Sequence, residues 1–185
     1  MLRKNVAAML CLGVLALSAN TAQATGGSNY VKCLKTPLVN FNGTIAQAAA
    51  ATPELSTLVS VLTPELVEAL SDPDAELTVY APTNDAFAAI PEEILTVVSA
   101  NTDVLTAVLT YHVTAGEVDP RKALIPRQVS TLQGQTVFFN RDKSGPQINQ
   151  SNIVDPKTNE TSCSGVRATN GIVWIIDSVL QPQYF

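Results

Sequence analysis

The sequence predicts an α+β domain. Three observations carry that reading. Apolar residues recur at helical spacing as far as Tyr111, short strand-like runs separated by turn residues follow, and helices mostly precede strands instead of alternating with them. The chain has 185 residues, the size of one domain with a tail. Hydrophobic residues make up 46% and charged residues 15%, which excludes disorder driven by high charge and low hydrophobicity. The net charge of −5 leaves no basic face to neutralise a row of phosphates, so a nucleic-acid partner is not expected.

Residues 1–24 read as a secretory signal peptide. Arg3 and Lys4 form a positive start, Val6 to Leu17 is uncharged, and Ala22-Gln23-Ala24 is a small-x-small cleavage site. Twelve apolar residues are too few to cross a hydrocarbon core ~30 Å thick, and no other apolar run reaches 18 residues, so the chain is not expected to span a membrane. Cleavage leaves nine basic against sixteen acidic side chains, a net charge of −7. It also removes Cys11. The two remaining cysteines, Cys33 and Cys163, are expected to form one disulfide in an oxidising compartment, the other possibility being two free or intermolecular thiols.

Residues 25–39 read as an N-terminal linker, and 40–185 as the domain. Thr52-Pro53-Glu54-Leu55 and Thr63-Pro64-Glu65-Leu66 are two helix starts, each with a threonine to cap, proline at the first position and glutamate facing the positive helix end. Leu77 to Ala81 is a strand stopped by Pro82. Asn84 to Ile90 forms a short helix, capped by Thr83 or Asn84, that turns Phe87 inward. Pro91-Glu92-Glu93 starts the next. Thr102 caps a third, on which Val104, Leu105, Val108 and Leu109 form a buried stripe that Tyr111 extends. Beyond Tyr111 come short strands expected to pair antiparallel, with Gln133-Gly134 and Asn170-Gly171 as tight turns. Ile172 to Ile176 has no polar residue, which marks a strand buried on both faces around Trp174, and Asp177 ends that run by hydrogen-bonding a neighbouring backbone.

Three segments resemble one known family. Thr78-Val79-Tyr80-Ala81-Pro82-Thr83-Asn84-Asp85-Ala86-Phe87 is similar to the first signature box of the fasciclin domain, Leu109 to Gly116 to its central tyrosine–histidine segment, and Ala168 to Pro182 to its second box. The resemblance implies helices packed on a wedge-shaped antiparallel β-sandwich. It also implies a secreted adhesion or matrix-interaction module, whose partner is a cell-surface or matrix protein or a polysaccharide. Tyr111 and His112 are the binding candidates that it implies. In animal members an Asn-Lys-Asp-Ile stretch before the second box is tied to integrin contact. Here Ser162-Cys163-Ser164-Gly165-Val166-Arg167 stands in its place, which counts against integrin.

Enzyme chemistry finds little support. The chain's only histidine, His112, lies between Tyr111 and Val113 at a helix end, where a satisfied structural imidazole is expected rather than a base. No Gly-x-Ser-x-Gly elbow or glycine-rich phosphate loop is present. Asp72, Asp74 and Glu76 share a loop, but their spacing is not that of an EF-hand. No catalytic residue, metal ligand or cofactor is therefore expected. A different reading is a carrier of small apolar ligands, with a pocket between the helices and the sheet. Asn42-Gly43-Thr44, Asn149-Gln150-Ser151 and Asn159-Glu160-Thr161 have the form of glycan acceptors but support no glycan prediction.

Overall fold

The computed structural model describes residues 33–122, 128–141 and 145–183; the expected signal peptide, its cleavage site and most of the linker lie outside them. The chain runs β1 (Val39–Asn40), α1 (Ile45–Ala50), a 3-10 turn (Pro53–Leu55), α2 (Ser56–Val61), α3 (Pro64–Ser71) and β2 (Leu77–Pro82). Three more helices follow, α4 (Asn84–Ala88), α5 (Glu92–Ala100) and α6 (Thr102–Tyr111). Then come β3 (Val113–Ala115), a second 3-10 turn (Pro120–Lys122), β4 (Gln128–Ser130), β5 (Thr136–Arg141), β6 (Pro146–Ile148), β7 (Ser151–Asn152), β8 (Val166–Ala168) and β9 (Gly171–Ile176).

The helix starts fall where proline and short polar side chains put them, although the caps differ from expectation. Thr44 and Gln47 form a reciprocal capping box on α1. Thr52 does not cap; its hydroxyl donates back to the Ala48 carbonyl at 2.9 Å. Thr63 makes no side-chain cap either. Thr83 caps α4 through the Ala86 amide at 3.2 Å. Asn101, one residue before Thr102, caps α6 by accepting from the amides of Asp103 and Val104, each at 3.1 Å.

The α+β class holds, with one correction to the pairing. The strands form a five-stranded sheet in the order β1-β8-β9-β2-β3 and a four-stranded sheet in the order β4-β5-β6-β7. The larger sheet is mixed, not antiparallel: β2 lies parallel to β9, with Tyr80 opposite Trp174, and β1 lies parallel to β8. Every residue of β2 and β9 is buried, and side-chain alternation divides them between two cores. Val79, Ala81, Val173 and Ile175 face the helices, joining Ile45, Leu58 and Leu66. Tyr80, Ile172, Trp174 and Ile176 face the smaller sheet, joining Val137, Phe139 and Ile148. A central strand covered on both sides has no solvent face to mark with polar residues, hence the unbroken apolar run.

Two glycines and one asparagine make this packing possible. A Cβ on Gly171, whose φ is +146°, would collide with the Leu77 carbonyl oxygen of the neighbouring parallel strand. A Cβ on Gly165 would sit 2.8 Å from the Trp174 ring. Asn170 is buried and ties three elements together, accepting from the Ile45 amide at 2.8 Å and donating to the carbonyls of Leu70 and Asp72 at 3.0 and 2.8 Å. Asp177 accepts from the Asn152 amide at 2.9 Å, as expected.

Cys33 and Cys163 form the expected disulfide, with Cα atoms 5.1 Å apart. Arg121 seats it. Its guanidinium donates to the carbonyls of Thr36 and Cys163 at 2.6 and 3.0 Å, pairs with Asp119 at 2.8 Å and lies 5.0 Å from the Trp174 ring centroid. Burial alone would raise the Asp119 carboxyl, but the hydrogen bonds and charge of Arg121 outweigh it and hold that group below its usual range.

Candidate functional site

The two binding candidates sit where α6 turns into β3, and they point into different surroundings. His112 is 3% exposed, and both ring nitrogens are engaged. Nδ1 donates to the Val108 carbonyl at 2.7 Å, one turn back on α6. Nε2 accepts from the Leu180 amide at 2.9 Å. This pair of partners selects the neutral Nδ1–H tautomer. Burial lowers the imidazole from 6.5 to about 4, the bond to Val108 opposing it only in part. With neither nitrogen free, the ring is a structural clasp between α6 and the C-terminal segment.

Tyr111 is also buried, but its hydroxyl reaches the opposite side, where it donates to the Thr136 carbonyl at 3.1 Å and accepts from the Asn149 carboxamide at 2.7 Å. Asn149 and Gln150 form the two-residue turn between β6 and β7, with Ile148 opposite Ser151. Both turn residues have positive φ, 48° and 73°. Asparagine is among the residues that adopt that conformation most readily, and the Asn149 Oδ1 accepts from the Phe138 amide of β5 at 2.7 Å; among the described residues the Gln150 side chain makes no hydrogen bond.

These residues line a groove of about 630 Å³. Tyr111, Thr136 and Asn149 line it together with Phe138, which is 50% exposed, and with the amide side chains of Gln135, Asn140, Gln150, Gln181 and Gln183. Among the described residues no charged side chain lines it. Of the residues lining it, the sequence points to Tyr111 alone as a binding candidate and not to the amide side chains around it. Their signal was the Asn149-Gln150 pair between two strand-like runs, which drew notice only as a glycan-acceptor triplet.

A second cavity, of about 560 Å³, lies between α2, α4, α5, α6 and the segment around Val179 to Pro182. It explains a departure from the expected stripe on α6. All four of its apolar residues line this cavity; Leu109 is buried, while Val104, Leu105 and Val108 are only half-buried. Phe87 turns inward, as expected, and lines it too. Ile94 and Leu95 of α5 close one side, yet α5 has no fully buried residue and leaves Val97 67% exposed. The remaining acidic loop is built as a turn, in which Asp72 accepts from the Asp74 amide at 2.9 Å. Among the described residues no single helix is long and apolar enough to cross a membrane; α5 and α6 together pass that test only as a pair bent by 106°.

Fold and site define a class, an α+β domain in which helices and a small sheet cover opposite faces of a mixed five-stranded sheet. The chain belongs to the fasciclin domain family, whose profile matches residues 53–182 and spans all three signature segments. It is 35% identical over 142 residues to the immunogenic protein MPB70 of Mycobacterium bovis, covering 75% of this chain and 68% of that one. It is 35% identical over 144 residues to protein sll1483 of Synechocystis, covering 75% and 73%. The cell surface glycolipoprotein MPB83 of Mycobacterium bovis is 34% identical over 142 residues, covering 75% and 60%. Among solved structures, a FAS1 domain pair from the insect cell adhesion molecule fasciclin I superposes with a TM-score of 0.47 at 19% identity, covering 72% of this chain and 46% of that one.

Proposed function

We propose that this protein is exported, cut after Ala24, and acts outside the cytoplasm as a non-catalytic interaction module. On this reading it holds a protein or polysaccharide of a cell surface or matrix in the groove beside Tyr111. The observation that carries this reading is the contrast within the tyrosine–histidine pair. The imidazole, the residue best suited to acid–base work, is sealed on both nitrogens, whereas the phenol sits in the wall of a polar groove. The disulfide fits an oxidising compartment, and a cell-surface relative fits the location. An integrin partner is not favoured, for the acidic stretch is absent from residues 162–167.

N-terminal sequencing of the exported form is expected to begin at Thr25. The purified protein is expected to co-sediment with envelope or matrix material from its native host, and Asn149→Ala to weaken that retention at temperatures where the variant is still folded. A folded protein that is never retained on such material would overturn the proposal.

The apolar cavity favours a second reading, a carrier of small apolar molecules. About 560 Å³ lies within the range of small-molecule sites, and among the described residues no formally charged side chain lines it once His112 is neutral. Native mass spectrometry of protein from its own host then shows a mass increment that solvent extraction removes. Protein that carries no increment counts against the carrier.

A further inference from the structure

We propose that the groove beside Tyr111 is a binding site for a neutral glycan, an inference that rests on the reading of an interaction module and names its partner's chemistry. The lining disfavours an ionic ligand first. Among the described residues none of the nine around the groove is charged, and the exported chain carries a net −7, which repels polyanions.

The groove is furnished with carboxamides. Among the described residues the side chains of Asn140, Gln150 and Gln181 make no hydrogen bond, and all three are exposed. Each offers a donor and an acceptor side by side. Adjacent sugar hydroxyls present the same alternation, each both donating and accepting. Phe138 adds an exposed ring at the rim, a flat apolar surface for the C–H face of a pyranose.

The scaffold under these free amides is already rigid. Asn149 is held at both ends of its carboxamide, by the Phe138 amide and the Tyr111 hydroxyl, each at 2.7 Å. The Gln135 carboxamide clasps the backbone of Gln183, donating to its carbonyl at 2.7 Å and accepting from its amide at 2.8 Å. A site whose walls are fixed before binding loses little order on binding. Gln150 stays in the left-handed region at φ 73°, a conformation unfavourable for glutamine, and this aims its free amide from the β6–β7 turn. A peptide strand fits less well, because β5 is flanked by β4 and β6 and offers no open edge at the groove.

The test titrates the folded, exported protein with short neutral oligosaccharides, namely glucan, mannan, xylan and galactan fragments, and with an oligouronate as the anionic comparison. One neutral series is expected to bind saturably. Phe138→Ala and Gln150→Gly are each expected to weaken it about tenfold or more. Gln150→Gly keeps the positive φ and removes only the amide, so its melting temperature is expected to equal or exceed that of the parent. No saturable binding of any neutral fragment, binding of the oligouronate alone, or binding unchanged in both variants would overturn the proposal. Retention on native surface material is measured in parallel after periodate or protease treatment. Retention that survives periodate and is lost to protease overturns the glycan and leaves the interaction module standing. No retention even on untreated material overturns both.

Discussion

His112 shows how one buried residue contributes to the response of the fold to acid. Folding holds its ring neutral, with a pKa of about 4, whereas an unfolded chain takes up the proton near 6.5. Its contribution is therefore complete above pH 6.5 and is lost as the pH falls toward 4, by up to about 3 kcal/mol. Urea midpoints measured from pH 7.5 to 4.5 are expected to fall more steeply for the parent than for His112→Gln, and parallel curves would reject the assignment. Half of this clasp was legible in the sequence. The Val108 carbonyl lies one helical turn before His112, where a helix end leaves it unpaired. The Leu180 amide lies 68 positions away, and no local pattern points to it. Gln150 was opaque for a similar reason: two-residue turns are read from glycine, and this one has none.

At the scale of elements, the parallel contact between β2 and β9 depends on the absence of a side chain at Gly171. Gly171→Ala is expected to destabilise the fold by more than about 3 kcal/mol, because neither the Leu77 backbone nor the positive φ gives way to a Cβ. Chemical denaturation of the variant measures it, and a loss under about 1 kcal/mol would show that the strands shift apart cheaply. The strands themselves were legible, since Leu77–Ala81 and Ile172–Ile176 are short, apolar and bounded by turn residues. Their mutual direction was not. Periodicity identifies a strand and its faces but says nothing about which partner it takes. Helix caps show the complementary limit. Thr52, Thr63 and Thr102 all had the right chemistry, but Thr52 turned back to a carbonyl and Asn101 stood one place nearer the turn. The Thr44–Gln47 capping box, by contrast, has its full pattern in the sequence.

For the whole molecule, the stabilising constraint with the longest reach is the disulfide. It closes 130 positions of chain, and on a chain-entropy account such a loop contributes about 5 kcal/mol before any strain. Cys163→Ser is expected to cost about 2–5 kcal/mol, read as a lower melting temperature that reducing agent does not lower further. The parent under reducing agent is expected to melt with the variant. Both cysteines could be paired from the sequence because removal of the expected signal peptide would take Cys11 and leave only two. Their seating by Arg121 could not, because that residue gathers carbonyls from Thr36 and Cys163, segments far apart along the chain.

That same bond also determines how the molecule bears load. Tension entering at residue 33 and leaving near residue 183 passes directly across the sulfurs, and the intervening helices and small sheet hang on the closed loop as a side branch. Only the last roughly 20 residues lie on the stretched path, so a pulled molecule lengthens by at most ~70 Å while the bond is intact. Cutting the bond releases a further ~450 Å of chain. Held under strain at a surface, the oxidised protein is a short link; in its reduced form it becomes a long, yielding tether.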